Sequence, residues 1–510
     1  MSNRTDILDR PDKAEAYIEL FCALAGEQGE EIWKTRFLSD APARLLAVNA
    51  KVVRTLVRGH TGFRDALNFQ ASCFFEPLLD AVLAEQLRRG GKVFESPLSV
   101  LERRDDPETA LAVATATMSA AAPPDLRPRP EWNWRGERRL RIGYVCSDLR
   151  MHPVGFSVRS MLVHHDRRLF EVFVYDRTED PARPVQGPVR HAADRFREVR
   201  DLAPAALAER IRADGIDILV DLSGTPLTPQ EDVFRLGPAP VRVAMIGYPG
   251  ATGAETVDYT VADRVVVPVA ERPGFSERLI LMPGSFLPVD DQAENDPVPP
   301  RADLGLPEDA FVMAAFNRLN KVDMATLRLW FACLRRIPHA LLWVATQSAD
   351  AAETLCRFAA QAGLAPERIR FAEPTGIRDH RARVAAADIA LDPLGYNGGH
   401  TTALALARGV PAVTLPGRCF AWRMSASILT AAGVPEGIAD SPSDYLARVE
   451  RFAADAPLLA RCRARLRHPE PGGFFSTKAY VAALEAAFRE IAAIRSAGDR
   501  DRDIEVRAAG

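Results

Sequence analysis

The hydrophobic rhythm of the chain changes twice. Over the first part, apolar positions recur three and four residues apart in AEAYIELFCALAG (14–26), FFEPLLDAVLAEQLRRG (74–90) and PETALAVATATMSAA (107–121). That spacing puts one apolar stripe on a helix, and Gly and Pro separate the stretches. It predicts an all-helical N-terminal region over residues 1–122. No repeat near about 34 residues, the period of stacked helix pairs, emerges from these segments. The stretch PPDLRPRPEWNWRGERR, residues 123–139, is rich in Pro and Arg and predicts a linker.

From Leu140 the pattern becomes short apolar runs. LRIGYVCSD, FEVFVYD, DILVDLSG and VRVAMIGYPG read as strands, with helix-like segments such as PAALAERIRADG between them. A Pro- and Asp-rich loop, residues 288–305, interrupts the series, and then FVMAAFN, ALLWVAT, RIRFAE, DIALDPL and PAVTLP repeat it. Strands alternating with helices imply βαβ units and a parallel sheet. The expected fold is therefore α/β, with two Rossmann-like lobes over 140–287 and 305–430 facing each other across a cleft. Helices over 431–495 should pack back across the first lobe, and residues 496–510 read as a tail.

Composition narrows the function. The chain has 510 residues, 47% apolar and 26% charged, and 65 basic against 68 acidic residues leave a net charge of -3. This is globular composition, and it gives no electrostatic case for nucleic acid or an anionic membrane. Seven dispersed cysteines without a CxxC pair argue against a disulfide framework and a zinc site. No apolar run approaches the ~18 residues of a membrane span, and no signal peptide opens the sequence. The expected setting is soluble and cytoplasmic.

Ligands of open α/β sheets bind beyond the carboxyl ends of the strands, which selects four loops. After IALDPL comes GYNGGHTT and then the helix-like ALALARG. Gly398 and Gly399 permit a tight turn, and the N–H groups of Thr401 and Thr402, with His400 and the two hydroxyls, would face an anion at the helix start. An ordinary strand-to-helix turn with a Thr N-cap fits the same letters. Behind FVMAAFN stand Arg318 and Lys321, one of only six lysines, on the same side of the same sheet. A lone surface lysine is the bland alternative, but an ammonium opposite a helix N-terminus makes a sensible diphosphate site. His380 and Arg383, in PTGIRDHRAR, would share that rim as a nucleobase site or as a solvated basic helix end. In the first lobe His152 lies in SDLRMHPVGFS, on the loop that would look across the cleft. It could take a proton, orient a sugar, or do neither. His164 and His165 read as a solvated helix end, and no His/Cys/Asp/Glu cluster has metal-ligand spacing.

Together, LRIGYVCSDLRMHP, APVRVAMIGYPGATGAETVDYTVAD, FNRLNKVD and YNGGHTTALALARGVPAVTLPG resemble the catalytic region of protein O-GlcNAc transferases and their Spindly-like relatives, over roughly residues 70 to 490. That family consists of inverting, metal-independent glycosyltransferases with two Rossmann-like lobes, the GT-B arrangement, usually preceded by tetratricopeptide repeats not evident here. The resemblance implies that Lys321 neutralises the nucleotide diphosphate and that His400, Thr401 and Thr402 hold the phosphates. It implies further that His380 stacks on the base with Arg383 close by, and that His152 stands beside the reacting centre and assists proton removal. Two positions depart from the pattern. Arg318 occupies a place where the family has Gln, and ALALA, around Leu404, lacks the acidic residue that binds the ribose. Loss of one such acceptor would cost ~1.5–3 kcal/mol of nucleotide affinity.

The expected activity is transfer of a GlcNAc-like sugar from a nucleotide-sugar donor, UDP-linked, to Ser or Thr of a protein acceptor, with no cofactor beyond the donor itself. A nucleotide-sugar epimerase shares the architecture, although the IGYPG block argues against it. A catalytically weakened nucleotide-sugar-binding scaffold would explain the missing acid, but not the joint retention of Lys321, His380 and His400.

Overall fold

The computed structural model describes residues 50–507, apart from 66, 68, 121–128, 180–185, 224–228, 292–296 and 347. The apolar stripe at 14–26 lies outside the described residues. Strands β1 (Leu140–Cys146), β2 (Phe170–Asp176), β3 (Arg195–Glu198), β4 (Ile218–Asp221), β5 (Val241–Ala244), β6 (Tyr259–Asp263) and β7 (Arg278–Met282) belong to the first lobe. Strands β8 (Phe311–Ala315), β9 (Ala340–Ala345), β10 (Ile369–Ala372), β11 (Ile389–Leu391) and β12 (Ala412–Val413) form the second, and β13 (Ile504–Glu505) follows near the C-terminus.

The two sheets run β13-β7-β6-β5-β4-β1-β2-β3 and β10-β9-β8-β11-β12, with every pair parallel. Parallel strands need crossover helices, which cover both faces, so the central strands are continuous apolar runs. All four residues of β4 and all five of β8 are buried. In each sheet the strand order reverses once, between β1 and β4 and between β8 and β11. Those two switch points open facing crevices.

Val266, Leu281 and Phe286 of the first lobe share one apolar cluster with Phe420, Met424 and Ile428 of the second. The rings of Phe286 and Phe420 meet edge to face at 4.8 Å. The helix Thr477–Ala497 returns to the first sheet and buries Val481, Leu484, Phe488 and Ile491 in its core. No helix among the described residues is long and apolar enough to cross a membrane.

Three expectations need correction. Of the C-terminal helices only Thr477–Ala497 packs on the first lobe, whereas Pro442–Ala454 and Ala456–Arg467 bury Tyr445, Val449, Leu458 and Leu466 in the core of the second. The final residues do not trail away, because Ile504 pairs with Ile280 and places β13 against the open edge of β7. Asp503 pins this strand by accepting from the Arg272 guanidinium at 2.7 Å and the Leu279 amide at 2.9 Å. An edge strand offers unpaired N–H and C=O groups, and Ile504 and Val506 alternate inward to fill it. His165 is not solvated either. It is 4% exposed, with Nε2 2.8 Å from the Tyr144 hydroxyl and Nδ1 2.9 Å from a Glu485 carboxylate oxygen. The returning helix that carries Glu485 covers it, a contact 320 residues away in sequence.

Between residues 50 and 120 the described chain forms four helices: Ala50–Asp65, Phe69–Arg88, Pro97–Arg103 and Pro107–Ala120. They dock on the lobes. Leu101 packs with Tyr248 of the first lobe and Tyr396 of the second, and its carbonyl accepts the Trp422 indole N–H at 2.7 Å. The Asp105 carboxylate takes the amides of Arg418 and Cys419 at 2.8 and 2.6 Å. The Arg418 guanidinium then bridges Glu108 at 2.9 Å and Glu271 of the first lobe at 3.1 Å.

Candidate active site

The loops that leave β8 and β11 meet at the second sheet's switch point. β8 runs into Asn317 and Arg318, then a single 3-10 turn, Leu319–Lys321, that turns Lys321 back over the sheet. Its Nζ donates to the Asn397 carbonyl at 2.9 Å and lies 4.0 Å from the centre of the Tyr396 ring. Burial pulls the Lys321 ammonium down to about 8, against the opposing pull of Asp392 and Glu102, while Arg318 adds repulsion. The side chain still carries its charge at neutral pH.

β11 is followed at once by Asp392, which shapes the opposite wall. Its carboxylate accepts the Gly398 amide at 2.8 Å and the Thr414 hydroxyl at 2.7 Å, and burial raises it to about 6. Gly398 is needed for space: a Cβ there would come within 2.8 Å of both Asn317 Oδ1 and Thr402 Oγ1. The helix His400–Ala407 begins immediately afterwards, with Gly399 at the cap position and no side-chain cap. Its first-turn amides have no intrahelical acceptor and no Ser, Thr or Asp in front of them. The Thr402 hydroxyl is 2.7 Å from that of Ser425, which donates to the Gly398 carbonyl at 2.7 Å. Thr402 thus offers the site its backbone N–H, while its side chain braces the loop.

His400 faces the other lobe, with Nε2 3.2 Å from the Ser157 hydroxyl. Burial lowers its proton affinity to about 4, and the neighbouring charges of His152 and Lys321 push the same way. A crevice continues from this point between the ends of β8 and β11, lined by Phe316, Asn317, His380, Asp392, Thr401 and Leu404 among others. Its lining is largely apolar, as in small-molecule pockets. His380 closes its far end, its ring 5.3 Å from that of Phe316. Arg383 donates from Nε to His380 Nδ1 at 3.2 Å and lies over Phe316. Burial and Arg383 hold His380 neutral, near 4. Its Nδ1 is then the acceptor and Nε2 carries the proton, with Arg383 acting as its brace. Leu404 and Ala405 line the same crevice, so this wall offers no carboxylate to a ribose.

In the first lobe His152 caps the helix Pro153–Val163, with Nδ1 accepting the Val154 amide at 3.3 Å. Burial is the main cause of its lowered proton affinity, which Asp148, 3.9 Å away, partly offsets. With its Nδ1 lone pair spent on the cap, neutral His152 carries the proton on Nε2. The exposed Arg318 adds repulsion both to His152 and to Lys321, which sets its charge between the lobes.

The structure therefore brings Lys321, Arg318, His400, Thr401, Thr402, His380 and Arg383 to one switch point, with His152 across the cleft. Reading the sequence missed Asp392, Tyr396 and Ser157. Only Asp392 left a signal, a carboxylate closing an apolar strand. It missed also that the helical region reaches the site. The helix Ala50–Asp65 packs on the Leu319–Lys321 turn, and Glu102 lies within electrostatic reach of Lys321 and Arg318. Burial raises the Glu102 carboxyl, and those cations oppose the rise.

Comparison with known proteins agrees with this architecture. A probable UDP-N-acetylglucosamine--peptide N-acetylglucosaminyltransferase SEC of Arabidopsis thaliana is 32% identical over 379 residues, 73% of this chain and 39% of that protein. A SPINDLY protein of Solanum lycopersicum, with the same probable activity in its name, is 30% identical over 339 residues, 65% of this chain and 36% of its own length. The chain thus spans well under half of each relative. A solved structure of a lysine-to-methionine variant of Thermobaculum terrenum O-GlcNAc transferase superposes with a TM-score of 0.71 at 26% identity, covering 95% of this chain and 99% of that one. The family model for glycosyl transferase family 41 matches residues 128–296 and 290–484. With two parallel-sheet lobes, facing switch points and most of its length matched, the chain belongs to glycosyl transferase family 41.

Proposed function

We propose that the protein transfers a GlcNAc-like sugar from a UDP-linked donor to Ser or Thr hydroxyls of a protein, with inversion and without a metal. The observation that carries this reading is the convergence of the Lys321 ammonium with the uncapped first turn of His400–Ala407 at the β8/β11 switch point. Such a pair suits a diphosphate, with the ammonium on one side and the helix amides on the other. The crevice toward His380 and Phe316 would take the base, and the sugar would project toward the first lobe. The acceptor hydroxyl would attack the anomeric carbon on the face opposite the diphosphate, and its proton would pass by way of solvent to the departing diphosphate. As the C–O bond to the diphosphate breaks, charge would build on the leaving oxygen, where Lys321 and the amides of Thr401 and Thr402 would stabilise it. Preorganised donors of this kind are worth ~100- to 1,000-fold each in turnover. His152 would orient the acceptor through Nε2–H instead of assisting proton removal as the resemblance implied, since its other nitrogen holds the helix cap.

The test is a donor-hydrolysis screen with UDP-GlcNAc, other UDP-sugars and GDP-sugars, reading free nucleotide, followed by transfer to peptides rich in Ser and Thr. Turnover of GDP-sugars alone would remove the UDP assignment. The apolar Leu404–Ala405 wall favours one second reading, a protein that binds nucleotide-sugar and turns it over poorly. UDP binding without hydrolysis or transfer of any donor would establish it.

A further inference from the structure

Ser157 lies on the first-lobe helix Pro153–Val163 and is 1% exposed. Its hydroxyl is 2.9 Å from the Pro288 carbonyl oxygen and 3.2 Å from His400 Nε2. A hydroxyl has one proton to give, and a carbonyl oxygen can only accept. The proton therefore goes to Pro288, and the Ser157 oxygen is left as an acceptor toward His400. For that second contact to be a hydrogen bond, His400 must present Nε2–H. Its ring is neutral near pH 7, because burial and the charges of His152 and Lys321 hold its proton affinity near 4. A neutral imidazole with Nε2–H keeps its lone pair on Nδ1.

We propose that Ser157 is a positioning residue, by which the first lobe fixes His400 as the Nε2–H tautomer and holds the start of its helix in place. This rests on reading the His400 loop as the diphosphate site. Three separate parts meet at this one hydroxyl: the helix capped by His152, the interlobe loop at Pro288, and the donor loop. Two further contacts tie the same first-lobe helix to the helix that carries His380. Asp290 accepts from Arg159 at 2.7 Å and from Arg381 at 2.9 Å, and the Arg381 guanidinium lies 4.7 Å from the Phe156 ring centre. The backbone of the first-lobe helix is thus held in other ways, and Ser157→Ala removes the hydroxyl without releasing the helix.

The experiment compares wild type and Ser157→Ala, full chain and ligand-free, by 15N spectra of histidine-labelled protein, with His400→Gln to assign the resonance. Wild type should show His400 protonated at Nε2 and unprotonated at Nδ1. In Ser157→Ala the pattern should shift toward Nδ1–H or a mixture. Parallel kinetics should show kcat of donor hydrolysis lowered about 10- to 100-fold, as for a site group misplaced by up to about 1 Å, with KM within about twofold and the melting temperature nearly unchanged. An Nδ1–H tautomer in the wild type, or an unchanged tautomer and kcat in Ser157→Ala, overturns the proposal. So does a parallel loss of melting temperature and UDP affinity, the mark of a purely structural hydroxyl. Failure of wild type to bind UDP would instead overturn the donor-site reading, because the tautomer is measured without ligand.

Discussion

Replacing Lys321 with Met tests the diphosphate site against the cost of maintaining it. Keeping an ammonium in this largely buried position lowers its proton affinity from 10.5 to about 8. That fall corresponds to about 3 kcal/mol held against folding at neutral pH. Methionine removes the cost, keeps an apolar contact with the Tyr396 ring, and leaves the Asn397 carbonyl without its donor, which costs about 1–3 kcal/mol. The two effects nearly cancel, so the melting temperature should move by no more than about 3 °C. Donor hydrolysis should fall ~100- to 1,000-fold. The pH dependence gives an independent reading. Between about 8 and 10.5 the unfolded chain holds the Lys321 proton and the folded one does not. Stability therefore rises with pH across that window in the wild type, and the variant lacks this contribution. Binding of UDP needs the charged form, so wild-type affinity should weaken as pH climbs past about 8, while the variant's weaker affinity stays flat. Calorimetric titration of UDP and thermal melts from pH 6.5 to 9.5 on both proteins measure affinity and stability, and free nucleotide released from the donor measures turnover. Donor turnover within tenfold of wild type, or a melting temperature lowered by more than about 10 °C, would refute the reasoning.

Gly398→Ala would drive a methyl within 2.8 Å of Asn317 Oδ1 and Thr402 Oγ1, so the loop must shift; UDP affinity should drop at least about tenfold with a stability loss of about 1–3 kcal/mol, both readable by titration and melting. Asp105→Ala strips the acceptor from two amides of the second lobe and should cost about 1–3 kcal/mol by denaturant melt, while UDP binding stays within about twofold. His152→Asn keeps a good N-cap and removes the imidazole. Transfer should fall less than about tenfold, whereas a loss of ~100- to 10,000-fold with UDP affinity intact would make the ring the general base after all.

The two-lobe fold was legible because buried parallel strands have to be apolar throughout, and β1, β2, β4, β5 and β8 to β11 all stand inside runs that the pattern marks. β3 is written RFRE and lies at the sheet edge with both its glutamate and its first arginine exposed, so no apolar run announced it. β13 is two residues long and is a strand only because β7 offers it an edge. The loops of the site were legible for a different reason. A helix that starts without a capping side chain, preceded by a glycine that cannot carry a Cβ, needs letters such as GGHTT wherever it occurs.

What a sequence pattern cannot hold is the partner of a side chain. His165, beside His164, and His400 both stand near helix ends, and their neighbours name the partner of neither. One is sealed beneath the returning helix by Tyr144 and Glu485, and the other meets Ser157 across the cleft. The same holds for the helical region. Its amphipathic spacing reports that one face is buried but not that this face lies on Lys321's turn, nor that Glu102 adds a carboxylate to the lysine's surroundings. The consequence is physical. The proton affinity of Lys321 is set first by burial and then by Asp392 from its own sheet and Glu102 from a helix that precedes both lobes, so the proposed donor site is completed by a part of the chain outside its own lobe.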